Sequence, residues 1–287
     1  MTACLSGCLS GCSPSLLDGV GPVGRDDAHI FLDALAIMLV IVVPTILLAL
    51  WVAWRYRAGN ANAVYLPHWS YSGRIEAVTW SIPILTILFI GGVIWIGSYR
   101  LDPFRPLPGP APIEVQVVSL DWKWLFIYPG EGIATVNELV VPAGRPVHFS
   151  ITSASVFNVF FVPRLGSMIY AMPGMVSQLH LQADRPVELF GQSSHFSGDG
   201  FSDMHFAVKS VDPAHYAAWL AAARRGPALD RPMYDALARQ SGNLPVLAFG
   251  RVDPGLFHAV AMQQVPPAPG PQPGSIAHGG REAGGRH

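Results

Sequence analysis

Two long apolar runs near the N-terminus dominate the hydrophobic pattern of this chain. No charged residue occurs from Ala34 to Trp54 or from Ala77 to Tyr99. Each run has the length of roughly 20 residues that a helix needs to cross about 30 Å of hydrocarbon. Uninterrupted apolar runs of this length seldom occur as helices of water-soluble proteins. The pattern therefore predicts two membrane-spanning helices.

The charges that flank these runs predict their orientation. The loop between the runs carries Arg55, Arg57 and Arg74, whereas Arg25 and Arg100, at the other two ends, have acidic neighbours. Because basic loops remain in the cytoplasm, we expect the loop inside and both termini outside.

After a proline-rich stretch at residues 103–112, the period of the pattern changes. Short apolar or alternating runs separated by turn-forming dipeptides predict strands at 113–120, 124–128, 138–141, 147–152, 157–162, 177–182, 187–190 and 204–208. Strands of this length and spacing favour a β-sandwich or barrel. Ala- and Leu-rich segments after residue 213 predict short helices, and the Pro- and Gly-rich end predicts a disordered tail.

The predicted organisation has six parts. They are an N-terminal leader and segment (1–30), a two-helix transmembrane domain (31–100), a linker (101–112), an all-β domain (113–212), a C-terminal aromatic-rich helical segment (213–265) and the tail (266–287).

Composition agrees with a membrane protein. The 287 residues are 51% hydrophobic and 13% charged, and the formal net charge is -1. Binding to nucleic acid is not expected, because neutralising phosphates would require a basic face.

The three cysteines, Cys4, Cys8 and Cys12, all lie within the first twelve residues. They stand in a repeated Leu-Ser-Gly-Cys tetrapeptide that resembles the lipobox of bacterial lipoproteins, which makes Cys12 the candidate for lipid attachment. A secretory signal normally has an apolar stretch of about 7 to 15 residues before its cleavage site, and the residues before Cys12 leave no room for one. A metal site at this spacing and an unmodified leader therefore stay open as alternatives.

The order of two membrane helices, a linker and a small all-β domain resembles subunit II of the haem-copper terminal oxidases. The members that oxidise cytochrome c bind a dinuclear copper centre through an upstream His and a downstream C-x-E-x-C-x3-H-x2-M signature, in which two thiolates bridge the metals. The resemblance implies a cupredoxin-like domain and places these ligand positions in two segments, 155–163 and 190–204.

This chain keeps the framework of that signature without its donors. The resemblance places Asn158 and Phe201 at the two His positions, Ser193 and Ser197 at the two Cys positions, His195 at the Glu whose backbone carbonyl would ligate, and Met204 at the conserved Met. Loss of both thiolates and both imidazoles implies that no dinuclear copper site remains. A mononuclear site at His195 and His205 is not expected either, because electron-transfer copper sites need a thiolate.

The substituted pattern resembles the cytochrome bo type ubiquinol oxidases more closely. The matching segments are 101–104, 121–124, 132–138, 163–167, 169–172 and 197–202. This resemblance implies a bacterial inner-membrane complex, with the β-domain in the periplasm and the haems, the catalytic copper and the ubiquinol site in subunit I. The chain would hold no cofactor and would be inactive alone, with subunit I, further subunits and membrane lipid as its partners.

Roles for single residues also follow from the resemblance. Glu76 can simply favour the positive end of a helix dipole, but it also matches a carboxylate at the entrance of a proton pathway shared with subunit I. Trp122 and Trp124 correspond to the patch through which electrons enter the copper-bearing relatives, and without copper we expect structural packing from them.

Two alternative functions remain on the sequence evidence. One is a copper-dependent cytochrome c oxidase subunit II, which the missing cysteines oppose. The other is a membrane-anchored scaffold lipoprotein with no link to respiration.

Overall fold

The computed structural model describes residues 17–64 and 66–266, so Cys12 and the predicted tail after its first residue lie outside the described residues. The chain divides into a helical unit at residues 26–102 and a second unit formed by the N-terminal residues up to Arg25 together with everything from Pro103 onward. Each unit is considered by itself.

The helical unit consists of two long apolar helices, α1 (Pro22–Arg55) and α2 (Gly73–Arg100). Both are long and apolar enough to cross a membrane, and their most apolar stretches are entirely unburied within the protein. The two predicted spans are therefore present as helices. Helix α1 starts at Pro22, earlier than the apolar run alone indicates, because proline is favoured in the first turn of a helix.

Ten strands of the second unit form two sheets between residues 113 and 211. They are β1 (Ile113–Leu120), β2 (Lys123–Tyr128), β3 (Ile133–Val136), β4 (Glu138–Pro142), β5 (Val147–Ser153), β6 (Asn158–Phe161), β7 (Ile169–Ala171), β8 (Ser177–Leu181), β9 (Val187–Ser193) and β10 (His205–Val211). The first sheet has the order β3-β2-β1-β5-β8 and is extended by a C-terminal strand, while the second has the order β4-β10-β9-β6-β7. This arrangement confirms the predicted all-β, cupredoxin-like fold.

A cluster of buried aromatic rings fills the space between the two sheets. Trp124 contacts Phe160 edge-on at a ring-centroid distance of 5.5 Å, and the rings of Phe160 and Phe206 are stacked at 5.3 Å. Trp124, Phe160 and Phe206 are each at most 1% exposed. Since such side chains bury the largest apolar areas available to a core, this cluster fixes how the sheets pack.

Most of the C-terminal segment packs against the outer face of the first sheet, while its first helix packs beside β4 on the core between the sheets. It contains α3 (Pro213–Ala223), β11 (Ala228–Leu229), α4 (Arg231–Ala238), β12 (Leu247–Phe249), β13 (Arg251–Val252) and α5 (Leu256–Ala261). Strand β12 pairs antiparallel with β3, and Tyr234 and Phe257 belong to a second buried cluster that includes Leu120 and Leu125. The predicted helices are present, but the segment also contributes strands.

Residues just before α1 and in its first turn, up to Arg25, also belong to the second unit. Val20 is buried in its core and its backbone amide donates to the Arg164 carbonyl at 2.8 Å. Asp18 pairs with Arg164, and Arg25 pairs with Asp184 at 2.5 Å. The residues that lead into α1 are therefore bound to the β-domain.

Candidate functional site

Strand pairing brings the two predicted ligand segments to one end of the second sheet. The upstream segment enters β6, and the downstream segment leaves β9 and returns through a short 3-10 helix (Phe201–Asp203) into β10. Phe160 of β6 lies opposite Ser193 of β9, and β9 is also the neighbour of β10. Residues that are far apart in sequence therefore meet here.

Hydrogen bonds join three of these positions directly. The Ser193 hydroxyl donates to the side-chain oxygen of Asn158 at 3.1 Å and lies 3.4 Å from the His195 backbone carbonyl. Asn158 is 0% exposed and Ser193 is 4% exposed. Buried polar groups need hydrogen-bond partners inside the protein, and each of these two side chains has the other as a partner without any ligand.

Ser197 and Met204 form a second contact beside the first. The Ser197 hydroxyl lies 3.9 Å from the Met204 sulfur, and the Ser193 amide donates to the Met204 carbonyl at 3.1 Å. The Phe201 backbone accepts a hydrogen bond from the Met204 amide at 3.1 Å, but its ring contacts Phe196 at a centroid distance of 5.6 Å. The structure thus brings five of the six predicted positions together and turns the sixth toward another aromatic ring.

The side chains present do not fit a dinuclear copper centre. Bridging copper requires soft thiolate donors, and here the corresponding atoms are hydroxyl oxygens that already have partners within the protein. Across residues 17–64 and 66–266, the structure contains no group of three His, Cys, Asp or Glu side chains that could hold a metal ion. His195 and His205 are both exposed on the surface.

Trp122 supports this site from the turn between β1 and β2. Its indole N–H donates to the Ser197 carbonyl at 3.0 Å, and the side chain is 1% exposed. Gly200 lies directly on the indole, where a Cβ atom would come within 2.3 Å of a ring carbon. The downstream loop therefore follows the flat face of Trp122, while Trp124 lies deeper in the aromatic core.

The neighbours of Trp122 hold two other segments. Asp121 is 1% exposed and accepts a hydrogen bond from the Ser155 hydroxyl, at the start of the upstream segment. Lys123 is 0% exposed, and its ammonium donates to the Arg239 carbonyl at 2.7 Å and to the Ser241 hydroxyl at 2.6 Å. We call residues 121–123 the anchoring turn, because each of its side chains holds a different segment.

Burial shifts the titration of both charged members of the anchoring turn. Desolvation raises the pKa of Asp121, although the Ser155 hydrogen bond and the Lys123 charge act in the opposite direction. Desolvation lowers the pKa of Lys123 to about 8, against a smaller upward effect of Asp121. Sequence reasoning missed these two residues, although charges that flank Trp122 between two apolar strands were the available signal.

The lowered pKa of Lys123 predicts a pH-dependent stability. Between pH 8 and 10.5 the unfolded chain holds a proton on Lys123 that the folded chain has released. The contribution of Lys123 to the free energy of unfolding therefore rises with pH across that window, by up to about 3 kcal/mol. Unfolding of the detergent-purified chain, followed by tryptophan fluorescence from pH 7 to 9.5, should show this rise in the native protein relative to Lys123→Met. Parallel pH profiles for the two proteins would contradict the assignment.

Glu76 lies in the helical unit, far along the chain from the anchoring turn. It occupies the first turn of α2, where its backbone amide donates to the Ser72 carbonyl at 3.0 Å. Its side chain is exposed, two residues after Arg74. A carboxylate at this point lies at the positive end of the helix dipole.

Two family models match this chain, one from the end of α2 through the β-domain and one over the C-terminal segment. Residues 92–211 match the family described as "Cytochrome C oxidase subunit II, periplasmic domain", and residues 224–268 match the "COX Aromatic Rich Motif". The chain is 46% identical over 256 residues to "Ubiquinol oxidase subunit 2" of Acetobacter aceti, which covers 88% of this chain and 83% of that protein.

More distant relatives carry similar names. "Cytochrome bo(3) ubiquinol oxidase subunit 2" of Pseudomonas putida is 44% identical and covers 88% of this chain and 81% of its own length. "Quinol oxidase subunit 2" of Bacillus cereus is 32% identical and covers 80% and 81%. Among solved structures, the periplasmic domain of subunit II of cytochrome oxidase from Bradyrhizobium japonicum matches with a TM-score of 0.39 and 23% identity, covering 40% of this chain and 96% of that one.

Proposed function

This chain belongs to the family of ubiquinol oxidase subunit 2, and we propose that it serves the oxidase in assembly and in proton entry rather than in electron transfer. It is a subunit of an oxidoreductase complex of the haem-copper type, held in the membrane by two apolar helices. Electrons pass from ubiquinol to O2 within subunit I, which holds the haems and the copper. The chain by itself is then catalytically inactive.

One observation carries the proposal that this subunit is not an electron carrier. The side chains at the positions that would ligate copper contact one another. The Ser193 hydroxyl donates to Asn158 at 3.1 Å, and the Ser197 hydroxyl lies 3.9 Å from the Met204 sulfur. Opening these contacts to admit a metal would leave buried polar groups without partners and supply no thiolate in return. A quinol-oxidising complex takes electrons from the membrane, so an external metal relay is dispensable.

A copper-dependent cytochrome c oxidase subunit is not favoured. The relatives that cover most of this chain are named as quinol oxidase subunits, down to 32% identity. A scaffold unconnected with respiration is not favoured either, since relatives named as ubiquinol oxidase subunits cover 88% of this chain, which is more than the β-domain alone.

The assembly role is tested by purifying the complex in mild detergent through this chain. We expect haem absorption and quinol oxidation in the purified material, and neither in the chain expressed without its partner subunits. Protease accessibility in oriented membrane vesicles checks the proposed sidedness, with the β-domain in the periplasm and residues 56–72 in the cytoplasm.

Proton entry is assigned to Glu76. The residue stands at the start of α2, next to the arginine-rich loop that the charge pattern places on the cytoplasmic side. Its exposed carboxylate can collect protons from water and pass them toward subunit I.

Replacing Glu76 by Gln should lower turnover of the assembled oxidase by about tenfold. This is less than the 10²- to 10⁴-fold effect of a group that transfers a proton in the chemical step, because water can supply protons by other routes. Quinol-dependent oxygen consumption and proton release from reconstituted vesicles measure the effect.

Glu76→Asp is the matched control, because it keeps the carboxylate in the same helical turn. We expect Glu76→Asp to retain most of the native rate and to share the native haem spectrum with Glu76→Gln. Native turnover together with native proton release in Glu76→Gln would end the proposal for this residue.

A further inference from the structure

A polar cleft lies between the two helices at the end opposite to Glu76. Its volume is about 360 Å³, and its charged and polar lining comes from Asp26, His29 and Asp33 of α1 and from Arg100 of α2. Apolar side chains and one glycine complete it: Ile30, Val93, Ile96, Gly97 and Leu101. All of these residues belong to the helical unit.

Helical spacing explains how the cleft forms. Asp26, His29 and Asp33 recur at intervals of three and four residues, so they share one face of α1. Gly97 allows α2 to approach α1 closely, since a Cβ atom at Gly97 would come within 2.7 Å of the Ile30 side chain. The helices therefore meet at Ile30 and Gly97, and the charged side chains line the space around this contact.

Three charged side chains of the cleft have no partner among the described residues. Among the residues that the structure describes, Asp26, Asp33 and Arg100 form no side-chain hydrogen bond and no ion pair within 4 Å. Unpaired charges at the edge of hydrocarbon are costly and normally gain partners. Two carboxylates and one guanidinium face the same space, so a complementary ligand carries both a cation and an anion.

Simpler ligands fit less well. Within the described chain no three acidic or imidazole groups are arranged to hold a metal ion, and Arg100 would repel one. A simple anion would satisfy Arg100 but would be repelled by Asp26 and Asp33. A primary ammonium next to a phosphate matches all three charges, because the guanidinium binds phosphate through two N–H groups and the ammonium donates to carboxylates.

We propose that this cleft binds the headgroup of a zwitterionic phospholipid with a primary amine, of the phosphatidylethanolamine type. The ammonium lies between Asp26 and Asp33, the phosphate contacts Arg100, and the first carbons of the acyl chains pack on Ile96 and Val93. The site is independent of proton entry, which concerns the other end of α2.

Native mass spectrometry of the detergent-purified complex tests the proposal. We expect the native enzyme to retain a phospholipid with the mass of phosphatidylethanolamine, and Arg100→Gln or Asp33→Asn to reduce its retention about tenfold, as expected for loss of one charge-assisted contact. Arg105→Gln is the matched control, because Arg105 is an exposed arginine shortly after α2 that does not line the cleft. Retention that is equal in all four proteins would overturn the proposal.

A second measurement uses the native complex alone, so it remains decisive if a variant fails to assemble. After lipid removal, vesicle lipids are added back and the unfolding temperature is recorded. Phosphatidylethanolamine should raise it more than phosphatidylglycerol, which lacks the amine, and more than phosphatidylcholine, whose quaternary amine cannot donate a hydrogen bond. Equal effects of the three lipids would overturn the proposal. So would cross-linking of an Ile96→Cys variant to another subunit without any loss of bound lipid.

Discussion

Replacing Trp122 by alanine is expected to destabilise the β-domain by about 3–5 kcal/mol, the range for removing a large buried aromatic side chain. The indole is 1% exposed, lies against Gly200, and donates to the Ser197 carbonyl at 3.0 Å. Alanine would leave a cavity beneath the downstream loop and a buried carbonyl without its donor. Denaturant unfolding of the detergent-purified chain, followed by circular dichroism in the strand region, measures the loss.

Two further variants separate packing from hydrogen bonding at this position. Trp122→Phe keeps much of the buried area but removes the N–H group, so its cost should be nearer the roughly 1–3 kcal/mol of an unsatisfied buried acceptor. Phe196→Ala removes an aromatic ring from the same loop where it is 72% exposed, and should change stability by less than about 0.5 kcal/mol. A Trp122→Ala protein as stable as Phe196→Ala would show that the loop does not depend on the indole.

Local patterns were sufficient to predict most of the fold. Helices α1 and α2 follow from the length of two apolar runs, and β1, β5 and β8 from short strand-like runs between turns. The prediction missed β3 (Ile133–Val136) and β7 (Ile169–Ala171). Strand β3 is buried on both faces and therefore does not alternate, and β7 has only three residues. Both are defined by their strand partners, β3 by β2 and β12 and β7 by β6, and a local hydrophobic pattern does not contain this pairing.

At the candidate site too, some features could be predicted from the sequence and others could not. The register of Asn158, Ser193 and Ser197 on a known ligand pattern was visible in the sequence. The hydrogen bond between Asn158 and Ser193 was not, because it depends on the pairing of β6 with β9. The roles of Asp121 and Lys123 were also missed. Charged residues are expected on the surface, and only the packed C-terminal segment makes Lys123 a buried anchor.

Reinstating the missing donors should convert the closed site into a copper-binding one. We expect a variant with Asn158→His, Ser193→Cys, Ser197→Cys and Phe201→His to bind copper in a stoichiometric amount under reducing conditions. Met204 and the His195 carbonyl are already in place, the carbonyl 3.4 Å from the Ser193 hydroxyl and the Met204 sulfur 3.9 Å from the Ser197 hydroxyl. Thiolates supply the soft ligands that select copper. Metal analysis measures the bound copper, and thiolate-to-copper absorption in the visible range is recorded after the bound copper has been partly reoxidised with a chemical oxidant.

Partial variants show which contacts decide the result. Without Ser197→Cys the bridging pair is incomplete, so we expect copper retention to fall sharply and the thiolate absorption to change. Phe201→His is the most demanding replacement, because the Phe201 ring now packs on Phe196 rather than on the hydrogen-bonded positions. The full variant could remain folded and bind no copper. Loss of the donors alone would then not explain the absence of a metal site, and the hydrogen bond between Asn158 and Ser193 would reflect a changed backbone. Copper binding would instead show that side-chain chemistry alone separates this subunit from its electron-carrying relatives.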